Sequence, residues 1–238
     1  MKKHLYLFLF LFCISLYGAG QNNDTPYSYP LLPGTEAWAT LKSGDEKFEA
    51  CQIPETYLKN MSTAALAETC LNYPLGGEYV FSNNERNWAA SLIERFNGLK
   101  ELSTRQDGAS ELLKIYEKMP VQPGNYVDKM DGNSFFRLGY IELLLSNDVF
   151  LNRLTETETH GLQEISTAKY EGKLNAKDTY SIFYIKKSML LTAQSIQKRN
   201  IISSRSNKTI IDDFIENYES VNAQTLQECS KILFSYER

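Results

Sequence analysis

Apolar residues recur at steps of one, three and four in segment after segment of this chain. That period fits one face of an α-helix, not the alternating faces of a strand. Trp88, Ala89, Leu92, Ile93 and Phe96 form one such set, and Leu112, Leu113, Tyr116 and Met119 a second. Ile182, Phe183, Ile185, Met189, Leu190 and Ile196 form a third, and Leu226, Cys229, Leu233 and Tyr236 close the chain. Strand-like alternation is scarce. The best candidate for extended backbone, Gly77 to Ser82, is too short and isolated to build a sheet. The expected fold is therefore all-α, about nine short helices in an irregular multi-helix bundle or an α-α superhelix. No internal period supports a regular solenoid.

Polar residues at the ends of these stripes mark where the helices start and stop. Ser43 to Glu46, Ser82 to Glu85 and Thr155 to Glu158 have the form of capping boxes, in which a hydroxyl and a carboxylate satisfy the first free amides. Ser62, Asp107 and Asp178 are expected to cap further helices, and Thr209 to start another. Asn97-Gly98 reads as a helix stop. Pro120 and Pro123 break the chain, so residues 120–133 read as the longest internal loop and the one candidate boundary within a single helical domain of residues 34–238. Ser203 to Lys208 reads as a surface loop.

The N-terminus has a different character. Met1-Lys2-Lys3-His4 is basic, and Leu5 to Tyr17 is an apolar run too short for the roughly 20 residues a membrane span needs. Gly18-Ala19-Gly20 then supplies the small residues a signal peptidase reads, so residues 1–20 are expected to be a signal peptide cleaved before Gln21. An uncleaved anchor would keep the same topology. The mature chain is then exported, periplasmic or secreted, and no later stretch is apolar enough to cross a membrane. Residues 21–33, with three prolines, read as a flexible lead-in.

Cleavage removes Lys2 and Lys3 and no acid from the 25 basic and 29 acidic residues, leaving 23 against 29, a net charge of −6. No helix concentrates Lys and Arg on one side, which argues against nucleic acid as a partner. Three cysteines survive export. Cys51 and Cys70 are spaced either for a disulfide, which an oxidising compartment would favour, or as two small buried apolar residues; spacing leaves both readings open. Cys229 lies on an apolar stripe and reads as a buried thiol.

The segments Cys51-Gln52-Ile53-Pro54-Glu55, Met61-Ser62-Thr63, Thr69-Cys70-Leu71-Asn72-Tyr73-Pro74-Leu75 and Phe96-Asn97-Gly98-Leu99 resemble an uncharacterised family of secreted proteins from gut and oral Bacteroidota. The resemblance spans about residues 37–119. It implies export from a diderm bacterium and an α-helical N-terminal module, and it brings no catalytic, metal or cofactor residues to carry over.

The inventory for chemistry is thin. His160 is the one histidine beyond the leader and reads as a solvated residue near a helix start, which leaves no two-histidine metal site. No Gly-x-Ser-x-Gly elbow, phosphate-binding glycine loop or cofactor motif occurs. Carboxylate pairs such as Asp128 with Asp131 or Asp212 with Asp213 have the residues a glycosidase needs, but they equally suit caps and solvated faces. Of the 15 tyrosines most are expected in the core. Tyr73, Tyr79 and Phe81, lying between helices near Gly76-Gly77, are the candidates for an exposed aromatic binding patch. The function expected is a non-enzymatic exported module that binds a protein, peptide or glycan in the cell envelope. A carboxylate-dependent hydrolase and a structural envelope component are the alternatives.

Overall fold

The computed structural model describes residues 24–121 and 132–235, with residues 132–135 as backbone. The expected signal peptide, the first residues of the expected lead-in, most of the 120–133 stretch with Asp128 and Asp131, and Tyr236 lie outside the described residues.

The first half of the described chain carries α1 (Glu36–Ala39), α2 (Gly44–Ala50), α3 (Glu55–Leu58), α4 (Thr63–Leu71), a 3-10 turn (Glu78–Phe81), α5 (Glu85–Arg95), α6 (Asn97–Thr104) and α7 (Gly108–Lys118). The second carries α8 (Gly132–Leu145), α9 (Asp148–Leu151), α10 (Glu156–Asn175), α11 (Ile182–Arg199), α12 (Arg205–Glu216) and α13 (Ala223–Ser235). Among the described residues the architecture is an irregular, strand-free bundle, as the stripes require. The thirteen α-helices among the described residues exceed the expected nine, and three of them, α1, α3 and α9, are single turns of four residues, too short to display a period.

Helix α8 organises the packing. Leu138 and every residue from Tyr140 to Leu145 are buried, so this part of the helix is enclosed on all sides, and the helix packs against α4, α5, α7 and α11. Its neighbours α10 and α11 form the longest helical hairpin, and α12 and α13 pair and cover α11. The buried apolar residues, from Tyr29 to Leu233, make one contiguous cluster.

Several helix starts differ from those expected, each because a better local partner is present. Thr155 and Glu158 do form a reciprocal capping box, and Ser62 does cap α4. At α5, however, Asn84 takes the cap from Asn87 N–H at 2.8 Å, while Ser82 accepts from Asn84 N–H and the Glu85 carboxylate turns into the core. At α2 the Ser43 hydroxyl caps as expected, but Glu46 accepts from Lys42 N–H, one residue earlier than a capping box requires. Asp107 stands at the start of α7 without a side-chain capping bond, and α11 starts after Ser181 instead of at Asp178. The stretch read as a surface loop holds Ser204, which caps α12, so that helix begins at Arg205. Gly77 to Ser82 is not extended; it contains the 3-10 turn.

Two further expectations are revised by packing. Asn97-Gly98 starts α6 instead of stopping α5, because the break falls one residue earlier, at the extended backbone of Phe96; the glycine serves packing, since a Cβ at Gly98 would stand 2.6 Å from the Phe96 ring and 2.7 Å from Ile53. The described part of the lead-in is docked: Tyr27 N–H donates to Thr69 Oγ1 at 2.9 Å, and the buried Tyr29 donates its hydroxyl to the Thr69 carbonyl at 3.2 Å. Burying those rings outweighs the prolines' tendency to keep the chain extended.

Helix α8 also has a point of closest approach. A Cβ at Gly139 would stand 2.2 Å from the Tyr79 hydroxyl. Replacing a mid-helix glycine by alanine ordinarily gains up to about 1 kcal/mol in propensity, but overpacking of this kind costs about 1–3 kcal/mol. Gly139→Ala is therefore expected to destabilise in urea unfolding, and part of the loss should return in a Tyr79→Phe background, where the obstructing oxygen is gone.

Candidate functional site

Residues 52–53, 73 and 96–97 meet in space. Asn97 clamps the Ile53 peptide from both sides: its Oδ1 accepts from Ile53 N–H at 3.0 Å and its Nδ2 donates to the Ile53 carbonyl at 2.7 Å. Gln52 Oε1 in turn accepts from Asn97 N–H at 3.0 Å. Tyr73 stacks on Phe96 with ring centroids 4.2 Å apart, and Tyr29 meets Tyr73 edge-on at 6.2 Å. Aromatic burial thus fixes the chain entering the Tyr73–Pro74–Leu75–Gly76–Gly77 turn, and the partly buried amide clamp holds Phe96, on which Tyr73 stacks, against residues 52–53.

Behind that turn lies a cavity of about 400 Å³, within the range of small-molecule pockets. Tyr73, Gly76 and Gly77 form one wall, Phe136, Arg137 and Tyr140 of α8 the other, and Leu32 and Pro33 stand at one side. Leu32 and Phe136 are both among the exposed large apolar side chains, so the cavity has an apolar border. Gly76 is needed for the close contact, since a Cβ there would lie 3.0 Å from the Tyr140 ring. Arg137 is the one charged residue among the described residues lining the cavity, and its Nη2 lies 2.6 Å from Glu68 Oε1. The hydroxyls of Tyr73 and Tyr140 and the Arg137 Nε are buried without a hydrogen-bond partner.

Of the expected aromatic patch, only Phe81 is exposed, at 87%, whereas Tyr73 and Tyr79 are 4% and 0% exposed. The expectation of three exposed aromatics is corrected by packing: Tyr73 is consumed by Phe96, and Tyr79 donates to the Phe136 carbonyl at 3.1 Å and packs near Trp88. Tyr73 nonetheless lines the cavity, with the double glycine beside it. Cys51 and Cys70 are both buried free thiols in this structure, so the disulfide is not formed. Burial pushes the Cys51 thiol up to about 11 and Cys70 higher than its ordinary value, which leaves both unreactive near neutral pH. Cys229 is likewise a buried thiol, and His160 is exposed, 3.6 Å from Glu164. Asp212 and Asp213 have separate partners, Gln197 and Asn217.

Next to the cavity, inside the bundle, sit charges that sequence reasoning missed. Glu142 of α8 is fully buried and accepts from Lys173 Nζ at 2.8 and 2.6 Å, from the Tyr116 hydroxyl at 3.0 Å and from Ser188 at 2.6 Å. A second pair lies beside it: Lys187 Nζ stands 2.8 Å from Glu85 Oε1, the Tyr218 hydroxyl donates to Glu85 Oε2 at 3.1 Å, and Lys187 donates to the Phe183 carbonyl at 2.9 Å. Burial lowers both lysines, Lys187 to about 8, with Glu85 opposing the shift. Burial likewise raises Glu85, with Lys187 opposing. The sequence signal for Glu142 was its place in an otherwise apolar run, Leu138 to Leu145.

A second, polar cleft of about 370 Å³ opens between the start of α5, the α8–α9 junction and the end of α12, with Asn84, Arg86, Asn147, Asp148, Glu216 and Glu219 among its walls. Arg86 and Glu219 tie its sides together: Arg86 Nη1 donates to the Ile215 carbonyl at 2.7 Å, and Glu219 accepts from Arg86 N–H at 3.1 Å. Among the described residues no group of three or more His, Cys, Asp or Glu is placed to hold a metal ion. No family model, curated protein or solved structure matches this chain.

Removing one partner of a buried pair strands the other charge, at about 3–5 kcal/mol. Lys173→Met is expected to lose that much in urea unfolding, and Glu142→Gln/Lys173→Met to recover most of it, because glutamine still accepts from Tyr116 and Ser188 without a charge. The second pair has a pH signature. An unfolded lysine holds its proton to about 10.5, whereas folded Lys187 releases it near 8. Between those values the unfolded chain binds more protons, so this group's contribution to stability rises with pH. Comparing unfolding free energies at pH 8 and pH 10 should show a flatter profile for Lys187→Met than for the wild type.

Proposed function

We propose that this chain is an exported, non-enzymatic binding module that engages a protein, peptide or glycan of the cell envelope through the cavity between the Tyr73–Gly77 turn and α8. The observation that carries the reading is the make-up of that cavity: mainly aromatic and aliphatic walls, an apolar border, the Asn72 amide and a single guanidinium, with no carboxylate among its described lining residues. Such walls bury a ligand's apolar surface and orient it by a few polar contacts, which is recognition chemistry. Acid-base hydrolysis of a glycan would need two carboxyl groups facing each other across a bond. Export rests on the basic and apolar N-terminal run, and a bacterial envelope on the resemblance of residues 37–119.

A second reading, a carboxylate-dependent hydrolase, has its own observation in the polar cleft, where Asp148, Glu216 and Glu219 share the walls with Arg86. It is weaker because Glu219 and Arg86 are already engaged in holding α5 to α12.

The test uses the chain from Gln21 onward. Trp88 lies edge-on to Tyr140, with centroids 5.8 Å apart, so in a Trp38→Phe background, which leaves Trp88 as the one tryptophan, fluorescence reports on the cavity wall. Titration with a panel of short peptides and oligosaccharides is expected to give a saturable change for at least one. Gly77→Leu should abolish it while leaving the helical circular dichroism intact, because a side chain at Gly77 starts 3.5 Å from Phe136, in ordinary contact, and extends into the space between the walls. Saturable binding that survives Gly77→Leu, or cleavage of a probe that Asp148→Asn abolishes, would overturn the reading.

A further inference from the structure

Resting on that reading, we infer that the cavity selects a ligand with an apolar body ending in a carboxylate, with Arg137 receiving the carboxylate and Glu68 holding its place in the empty site. The inference starts from charge. From Gln21 onward the chain has 23 basic and 29 acidic residues, a net charge of −6 that repels anions at long range, yet the one charged side chain among the described residues lining this space is a cation. Arginine presents planar paired donors that match a carboxylate. It stands on α8 beside Phe136 and one turn before Tyr140, so an anion at the guanidinium leaves the rest of the ligand against aromatic walls.

The resting partner is itself a carboxylate. Glu68 Oε1 meets Arg137 Nη2 at 2.6 Å, and both side chains are partly exposed, the glutamate more than the arginine. A partly exposed ion pair contributes little to stability, so exchanging Glu68 for a ligand carboxylate costs little, and the displaced glutamate can be solvated. A phosphate dianion is disfavoured here, because the lining offers one cation and otherwise apolar or uncharged groups. Walls of Leu32, Pro33, Tyr73, Phe136 and Tyr140 disfavour a small hydrophilic acid for lack of apolar surface to bury.

Peptide C-termini with a hydrophobic last residue and small aliphatic acids share this chemistry, and the test separates them. The Trp88 signal of the chain from Gln21 is followed with N-acetyl-Ala-Ala-Phe as free acid and as C-terminal amide, and with octanoate and octanamide. In whichever pair binds, the acid should bind at least tenfold tighter than its amide, and rising salt should narrow the gap. Glu68→Gln should tighten the acid several-fold by removing the resident competitor, and Arg137→Met should bring acid and amide together. Thermal melts of both variants verify folding, and the acid-to-amide ratio in the Trp38→Phe parent needs neither variant. Tripeptide acid preferred over octanoate assigns a peptide C-terminus, and the reverse assigns a small acid. Equal binding of acid and amide would sink the carboxylate assignment while leaving the binding reading standing. So would an acid affinity that Glu68→Gln leaves unchanged. No binding by any of the four, together with an unresponsive broader panel, would remove both.

Discussion

The Glu142–Lys173 pair sets the terms on which this bundle packs. Moving two charges out of water costs several kcal/mol per ion, and only good geometry with every remaining lone pair and proton satisfied offsets it. Here the carboxylate has four close donor contacts, and the lysine spends a further proton on the Tyr184 carbonyl at 3.1 Å. Those partners come from α7, α10 and α11, so satisfying one carboxylate on α8 fixes the separation and rotation of three other helices. The neighbouring Glu85–Lys187 pair does the same between α5 and α11, and Tyr218 ties in the chain after α12. Apolar contacts are non-directional and tolerate sliding. A buried charge does not, because any helix shift that breaks one contact leaves an unpaired ion in a low-dielectric interior.

Tyrosine does the corresponding work in the N-terminal half. Tyr57, Tyr27, Tyr29 and Tyr73 meet edge to edge and end on Phe96, while Tyr79, Trp88 and Tyr140 form a second run. Each ring buries a large area and still offers a hydroxyl, which suits a region where short helices and turns expose backbone carbonyls such as those of Thr69 and Phe136. The segments resembling the Bacteroidota family fall on this aromatic lattice and on the Asn97 clamp. Both features shape the turn that forms one wall of the cavity.

How much of this the sequence discloses follows from what each feature looks like in one dimension. Amphipathic stripes report helices of three turns or more, so the fold class and the long helices are legible, while α1, α3 and α9 leave no period to read. Caps are legible only where no competing partner lies nearby. Thr155 and Glu158 close their box, but Glu85 has a buried lysine to meet, and Asn84 caps in its place. Lys173 and Lys187 sit on helices with many charged residues and look like solvated positions; only the third dimension shows them at 0% and 1% exposure. At the cavity, the double glycine beside Tyr73 signals close backbone approach, yet which aromatics stay exposed depends on Phe96 and Trp88, far along the chain. Arg137 and Tyr140, which complete the opposite wall, carry no local mark at all.

The two parts of the structure share one helix, and its geometry couples them. Arg137 and Tyr140 are three residues apart and so lie on one face of α8, whereas Glu142 is two residues beyond Tyr140, turned by about 200° at 3.6 residues per turn. The face that lines the cavity is thus roughly opposite the face that carries the buried carboxylate. Tyr79 bridges the two: its hydroxyl bonds the Phe136 carbonyl at the cavity wall, and Lys187 Nζ lies 5.0 Å from its ring centroid. A wall anchored from behind by an ion pair cannot rotate to follow a ligand. The site is therefore preorganised, and a ligand that fits spends less of its interaction energy on ordering the protein. The cost is borne in the core, where the charges must be desolvated whether or not the cavity is filled.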